Sequence, residues 1–231
     1  MSEMVVIGGT SGVGRALAAH YAARGHAVVI AGRDAERAAK VAAELSADGG
    51  RVRGLAADLG RPELLGEALA DVEQAHALVL AGVERDRNTL ADYDVARAVE
   101  VATVKVVGYT AAVHVLAPRL TEDASVLLFG GMAKDAPYPG STTVTAVNAA
   151  IVGLVRTLSI EMAPVRVNSI HPGFVGDSPY WADNEAVLER VRKLVLTGRL
   201  PTMRDMVQGC AFLLDNPAAN GIDLLLHGGL R

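Results

Sequence analysis

The strongest chemical signal in the sequence is a glycine-rich segment near the N terminus. Gly8, Gly9, Gly12 and Gly14 fall within seven residues, directly after the apolar run at residues 4–7 and at the start of a helical pattern. Glycine lets backbone amides approach a phosphate closely, and a helix N terminus adds partial positive charge. This strand–turn–helix context favours a pyrophosphate cradle over an ordinary tight turn. Its contacts are predicted to come from Gly8, Thr10, Ser11, Gly12 and Val13.

An arginine follows the second apolar run, where the ribose of a bound dinucleotide would lie. A cofactor with a free 2′-hydroxyl usually meets an acidic residue about 20 positions past the glycines. The residue 18 positions after Gly14 is Gly32, and Arg33 comes next. Because a guanidinium pairs well with a phosphate, this arrangement favours NADP(H) over NAD(H), with Arg15 as a second cation. The alternative is that Arg33 is a solvated loop charge.

Short apolar runs alternate along the chain with alanine-rich helical stretches. The runs are mostly continuous, as in strands buried on both faces, and their alternation with helices predicts a parallel sheet with right-handed crossovers. We therefore expect one Rossmann-like, doubly wound α/β domain over residues 1–231, with its ligand beyond the carboxyl ends of the strands. The predicted strands are residues 4–7, 27–31, 52–56, 77–80, 125–129, 166–170 and 222–226. The predicted helices are residues 12–24, 34–47, 61–72, 91–120, 141–162 and 204–214.

Composition argues against several other classes of protein. The 231 residues are 51% hydrophobic and 21% charged, which is enough apolar material for a sizeable core. A net charge of −4 and only 4% aromatic residues argue against nucleic-acid binding, and no Cys/His spacing fits a metal site. The apolar stretch 95–120 contains Arg97, Glu100, Lys105 and His114, so it does not predict a membrane span. The N terminus has no signal-like pattern, and a cytoplasmic location is expected.

Two long predicted helices are more apolar than a single sheet face requires. Residues 91–120 and 141–162 are apolar over much of their circumference. We therefore expect these helices to pack against copies of themselves in a homodimer or homotetramer. The single cysteine, Cys210, cannot form an internal disulfide and is interpreted as a small buried hydrophobic residue. Residues 175–199 show no periodic pattern and are too short to form a domain.

The chain resembles the short-chain dehydrogenase/reductase family over nearly its whole length. Its turn from Gly8 to Gly14 matches the family's TGxxxGxG, with Ile7 in place of the threonine. Further ordered matches are Asp58-Leu59, Ala81-Gly82 (where Val79-Leu80 replace two asparagines), Arg166-Val167-Asn168, Pro172-Gly173-Phe174-Val175 and the tail from Gly198 to Gly229. The resemblance implies NAD(P)-dependent oxidoreductase activity on a small-molecule substrate. It also implies cofactor contacts from Asp58, Leu59, Ala81, Gly82, Asn148, Pro172, Gly173 and Val175.

The family's catalytic residues are replaced at all four matching positions. Its proton-donating tyrosine aligns with Val144, and its lysine, four residues later, with Asn148. Its serine falls at Gly130-Gly131-Met132, after the fifth predicted strand, and its helical asparagine aligns with Thr103. Loss of a positioned general acid alone costs about 10²–10⁴-fold in rate. The family's alcohol–ketone reaction is therefore not expected, although Asn148 can still hydrogen-bond a ribose hydroxyl.

Other polar residues near strand ends are candidates for the missing proton donor. Tyr180 is the best of them, because residues 177–181 match the loop that closes over substrate in this family. His171 is interpreted as a packed loop residue, and Tyr138 as a cover over the pocket edge. The catalytic residue stays open at this point; the remaining candidates are Lys134, Asp135 and Asp177.

Three functions are compatible with the sequence. The first is an atypical NADP(H)-dependent oxidoreductase, since the cofactor carries the hydride and the protein chiefly positions it. The second is a non-catalytic NADP(H)-binding protein, such as a sensor or a partner subunit. The third uses the pocket for non-redox chemistry on a small molecule. The cradle favours the first two, and the four replaced positions favour NADP(H) binding without the family's usual reaction.

Overall fold

Seven parallel strands form one sheet in the computed structural model, which describes residues 2–47 and 49–230. The strands are β1 (Glu3–Ile7), β2 (Ala27–Gly32), β3 (Arg51–Ala56), β4 (Ala75–Leu80), β5 (Leu120–Phe129), β6 (Arg166–Pro172) and β7 (Asp223–Leu226). Their order is β3-β2-β1-β4-β5-β6-β7, so the direction of winding reverses between β1 and β4. Val5 lies opposite Val29 on one side and Leu78 on the other. The predicted Rossmann-like, doubly wound α/β fold is confirmed.

Helices cover both faces of this sheet. They are α1 (Gly12–Ala22), α2 (Ala35–Ala47), α3 (Leu65–Ala68), α4 (Val95–Ala102), α5 (Tyr109–Leu116), α6 (Thr142–Glu161), α7 (Glu185–Arg192) and α8 (Met203–Asp215). The predicted helix at residues 61–72 is only a 3-10 turn followed by α3. The helix α7 falls within residues 175–199, where the sequence shows no pattern.

The predicted helix at residues 91–120 begins later and is not continuous. The Asp94 side chain accepts a hydrogen bond from the backbone amide of Arg97, which fixes the start of α4 at Val95. A π-helical segment, Thr103–Gly108, separates α4 from α5. Gly108 lies so close to the loop after β3 that an added Cβ would be 2.2 Å from the Leu59 carbonyl oxygen. The π-helical segment therefore runs directly against that loop.

Two apolar cores lie on opposite faces of the sheet. One packs Leu116 and Ile151 of α5 and α6 against the sheet, and the other packs Leu17 of α1 and Cys210 of α8. Cys210 is fully buried, and this burial raises the pKa of its thiol, as expected for a small hydrophobic residue. A third, small cluster around Leu188 is formed largely by residues 175–199 themselves.

Residues 95–119 and 142–161 are long and apolar enough to cross a membrane by length and composition alone. Their inner faces pack against the sheet, since Tyr109 and Ile151 are fully buried in the core. Their outer faces leave apolar side chains exposed; these are Val95, Val99, Val107 and Ile160. This exposed apolar surface is consistent with the expected packing against a second copy, which stays a prediction.

Candidate cofactor site

A cavity of about 720 Å³ opens beyond the carboxyl ends of the strands, at the switch in strand order. Loops after β1, β2, β3, β4 and β6 contribute to it. All but two of the predicted cofactor residues line this cavity. They are Gly8, Thr10, Ser11, Gly12, Val13, Arg33, Asp58, Leu59, Ala81, Gly82, Gly173 and Val175. The fold thus brings together residues that are spread over most of the sequence.

Two predicted cofactor residues do not line the cavity. Pro172 is the last residue of β6 and pairs with Leu226 of β7, so the strand holds it just before the loop that enters the cavity. Asn148 is a buried residue of α6. Arg15 does not line the cavity either, because its guanidinium forms an ion pair with Glu44 at 2.8 Å.

The glycine turn requires glycine for steric reasons that the structure makes explicit. Gly8 has a positive φ of 91°, and a Cβ there would lie 2.4 Å from the backbone nitrogen of Gly82. A Cβ on Gly14 would lie 2.3 Å from the carbonyl oxygen of Gly8. The first turn of α1 carries no acidic residue, so its free amides face the cavity without a competing carboxylate. The cradle therefore fits a pyrophosphate.

Arg33 lies at the cavity, but it already has a partner. Its guanidinium donates to the Glu84 carboxylate at 2.5 Å, although 69% of the Arg33 side chain is exposed. Glu84 follows β4 and also lines the cavity. Spacing along the chain did not identify Glu84, which is 51 residues from Arg33 in sequence. It also passed over Asp34, 20 positions after Gly14, which lines the cavity as well.

The positions matched to the family's serine, tyrosine and lysine carry no ionisable side chain. Val144 and Asn148 lie one turn apart on α6, and Gly131 follows β5. A Cβ added to Gly131 would lie 2.7 Å from the Asn148 amide nitrogen, so Asn148 occupies space beside the missing serine side chain. Neither Val144 nor Asn148 can donate a proton to a developing alkoxide at neutral pH.

Sequence reasoning missed Lys105, which lies two residues beyond Thr103 in the π-helical segment. The lysine is only 4% exposed, and its ammonium donates to the Phe129 carbonyl at 2.6 Å. It also lies 3.5 Å from the Tyr109 hydroxyl, which donates to the carbonyl of Gly82 at 2.9 Å. Burial lowers the pKa of Lys105 to about 7. The available signal was that Lys105 is the one charged residue between positions 101 and 113.

Thr103 lines a smaller, adjoining cavity of about 420 Å³ together with Arg97 and Glu100. This cavity shares Arg33, Asp58 and Glu84 with the main one. The side chain at the end of β5 is that of Lys105, through its bond to Phe129.

The other candidate proton donors have structural partners. His171 is a fully buried residue of β6 rather than a loop residue; its Nδ1 accepts from the Gly131 amide at 3.2 Å and its Nε2 contacts Ser169. Burial lowers the pKa of His171. Asp177 accepts a hydrogen bond from the amide of Met203 at 2.7 Å, at the start of α8. Lys134 and Asp135 form an ion pair with each other.

Tyr180 and Trp181 form an aromatic turn at the mouth of the cavity. Tyr180 and Trp181 line the cavity, and the Trp181 ring packs on Phe174 at 4.9 Å. From the opposite side, the Arg85 guanidinium lies 3.8 Å from the centre of the Tyr180 ring, a cation–π contact. Tyr138, in contrast, is half exposed and is not among the residues that line this cavity.

Comparison with known proteins agrees with this geometry. A family profile described as enoyl-(acyl carrier protein) reductase matches residues 8–230. The chain belongs to the short-chain dehydrogenase/reductase family. The predicted resemblance is thereby confirmed, together with the nicotinamide-cofactor fold that the family shares.

Similarity to individual short-chain dehydrogenases/reductases extends over almost their full length. The 3-oxoacyl-[acyl-carrier-protein] reductase of Bos taurus is 27% identical, with 98% of this chain and 96% of that protein covered. Carbonyl reductase family member 4 of Danio rerio is 28% identical, covering 98% and 97%. A crystal structure of a short chain dehydrogenase from Burkholderia cenocepacia in complex with NADP superposes with a TM-score of 0.89 at 26% identity, covering 99% and 97%.

Proposed function

We propose that this short-chain dehydrogenase/reductase binds NADP(H) and does not run the tyrosine–lysine alcohol–ketone reaction. The proposal rests on the combination of an intact cofactor cradle with replaced catalytic positions. The cradle lined by Gly8 and Arg33 fits a phosphorylated dinucleotide, whereas Gly131, Val144 and Asn148 supply no proton donor at the family's catalytic positions. The protein is an oxidoreductase by resemblance, with a small-molecule substrate.

Each part of the cofactor has a group suited to hold it. Amides of the turn from Gly8 to Val13 bind the pyrophosphate, Asp58 and Leu59 flank the adenine, and Arg33 pairs with the 2′-phosphate. Gly173 and Val175 lie on the nicotinamide side. NADPH, when bound, supplies a hydride for an activated C=C, C=N or carbonyl substrate. The proton must then come from water, the substrate or a residue of the aromatic turn.

A non-catalytic role as an NADP(H) sensor or partner subunit is the second candidate. It is favoured by the position of the Asn148 side chain. The Cβ of a serine at position 131 would collide with its amide group. The two candidates predict the same binding but differ in turnover. We also propose a cytoplasmic homodimer or homotetramer built through the exposed apolar faces of α4 to α6, which the mass in solution would test.

Calorimetric titration with NADPH and NADH tests the cofactor assignment. Wild type is expected to bind NADPH more tightly, and Arg33→Ala to weaken NADPH by about 10- to 100-fold, since a charge-assisted hydrogen bond contributes about 1.5–3 kcal/mol. NADH binding should change little. Arg15→Ala is the matched control, because Arg15 pairs with Glu44 outside the cavity. Equal binding of NADH and NADPH to wild type would reject the assignment.

Val144→Tyr is expected to leave the reduction of simple ketones by NADPH at the wild-type background. A tyrosine at this position would lack the cation that lowers its pKa, because Asn148 is neutral. NADPH absorbance with a panel of small ketones measures this rate. Val144→Tyr combined with Asn148→Lys is the comparison variant, since it restores both partners. Ketone reduction by the wild-type protein would contradict the proposed loss of the reaction.

A further inference from the structure

We propose that Glu84 is a specificity-determining residue of the cofactor site, and that it limits preference for a 2′-phosphorylated ribose by competing for Arg33. The inference rests on the proposed function, because it concerns how the same site distinguishes a ribose with a 2′-phosphate from one without it. Glu84 lies outside every motif that carries the family resemblance. Its role follows from the ion pairs that the fold creates around it.

Arg33 and Glu84 differ in how far their side chains are exposed to solvent. The Arg33 side chain is 69% exposed, whereas that of Glu84 is only 17% exposed. Arg33 can therefore change partner, because an ion pair with one so exposed side chain is only weakly stabilising. A 2′-phosphate arriving at the cavity must replace the Glu84 carboxylate as the partner of this guanidinium.

Arg97 holds Glu84 from the other side. Its guanidinium donates to Glu84 at 2.6 Å and to Glu100 at 2.5 Å. The same guanidinium donates twice to the carbonyl of Arg85, at 2.9 and 3.2 Å, and thereby braces the loop after β4. The carboxylate of Glu84 is thus fixed in place even when Arg33 leaves it.

Basic and acidic side chains line the cavity in equal number. The basic side chains are Arg33, Arg37 and Arg85, and the acidic ones are Asp34, Asp58 and Glu84. A phosphate dianion therefore meets no surplus of positive charge while Glu84 is ionised. A carboxylate also accepts a hydrogen bond from a ribose hydroxyl, the role that an acid at the end of the second strand has in NAD-binding domains. Glu84 supplies such an acceptor from the loop after β4, whereas Asp34, the acid next to Arg33, accepts a hydrogen bond from the amide of Arg37 at 2.9 Å.

Two adenosine fragments isolate the effect from the rest of the cofactor. Adenosine 2′,5′-bisphosphate carries the 2′-phosphate, and adenosine 5′-monophosphate lacks it. Calorimetry with both fragments compares wild type, Glu84→Gln and Glu3→Gln. Glu84→Gln keeps the shape and one acceptor oxygen but removes the charge. Glu3→Gln is the matched control, because Glu3 of β1 is equally buried and pairs with Arg53 at 2.6 Å but lines neither cavity.

Glu84→Gln is expected to tighten binding of the bisphosphate by about 5-fold, as the competing ion pair is lost. Binding of the monophosphate should stay within about twofold, and Glu3→Gln should alter the binding of neither fragment. In an Arg33→Ala background most of this gain in affinity for the bisphosphate should disappear, because no guanidinium remains that the loss of Glu84 could release. A gain that is undiminished in that background would overturn competition for Arg33.

The outcomes separate this inference from the proposed function. Binding of both fragments with a ratio that Glu84→Gln leaves unchanged, or shifts towards the monophosphate, overturns the role of Glu84 alone. Failure of wild type to bind either fragment or NADPH overturns the proposed function as well, and the inference with it.

Discussion

Gly8→Ala is expected to weaken NADPH binding by at least about 100-fold and to lower the free energy of unfolding by about 3 kcal/mol or more. An alanine there must adopt a φ near 91°, and its Cβ would lie 2.4 Å from the Gly82 nitrogen and 2.5 Å from the Ala81 carbonyl carbon. These are backbone atoms beside β4, so the collision can be relieved only by separating β1 from β4. That movement would open the phosphate cradle. Calorimetry with NADPH and urea denaturation measure the two effects.

Gly25→Ala provides a control with the same backbone requirement and no collision. Gly25 has a φ of 86°, has nothing within 4 Å of an added Cβ, and does not line the cavity. Its substitution should cost about 1 kcal/mol of stability and leave NADPH binding at the wild-type level. If Gly8→Ala and Gly25→Ala behaved alike in both measurements, the close approach of β1 and β4 would not be what demands glycine.

Lys105→Met is expected to stabilise the protein at pH 7 and below, and to change how its stability depends on pH. The pKa of Lys105 is about 7 in the folded protein, well below the usual lysine value of about 10.4, because burial disfavours the ammonium. Between these two values the unfolded chain holds a proton that the folded chain has released, so wild-type stability rises with pH over this window. The full effect is on the order of 3–5 kcal/mol.

Urea denaturation at pH 6, 7, 8.5 and 10 measures the difference between wild type and Lys105→Met. The variant should be more stable at pH 6, and its advantage should shrink as the pH rises, since neutral lysine no longer carries a buried charge. Lys40→Met is the control, because Lys40 is exposed on α2 and its removal should give a small difference at every pH. A difference for Lys105→Met that did not vary with pH would contradict a buried lysine of lowered pKa.

The buried lysine also bears on the proposed loss of the family's reaction. Lys105 lies under the ends of β4 and β5, bonded to Phe129 and close to Tyr109. The part of the chain that the structure describes therefore keeps an amine near the cleft, on the π-helical segment rather than at position 148. Its hydrogen-bond partners are the Phe129 carbonyl and the hydroxyl of Tyr109, which in turn bonds Gly82.

Much of the site was predictable because its parts are local in sequence. The glycine turn, its preceding strand and its following helix are contiguous, and the short apolar runs identified every strand of the sheet. A strand followed by a glycine turn determines where the chain reverses, and parallel strands bring their carboxyl ends to one edge. The positions of Gly8 and Arg33 after the first two strands therefore predicted one edge of the sheet as the site, whereas Asp58 and Gly173 were predicted from the family resemblance.

Only the tertiary structure decided which side chains meet across that cavity. The Arg33–Glu84 pair joins residues that are 51 positions apart, and the contact of Gly131 with Asn148 joins a strand end to a helix. Likewise, a lysine within an apolar helix predicts neither burial nor solvent exposure until the helix is packed on the sheet. Local patterns predicted all seven strands and most of the helices, whereas partner choice and pKa depend on which elements become neighbours. In this protein the sequence determined the cradle, and the packing of its loops determined the charges that surround it.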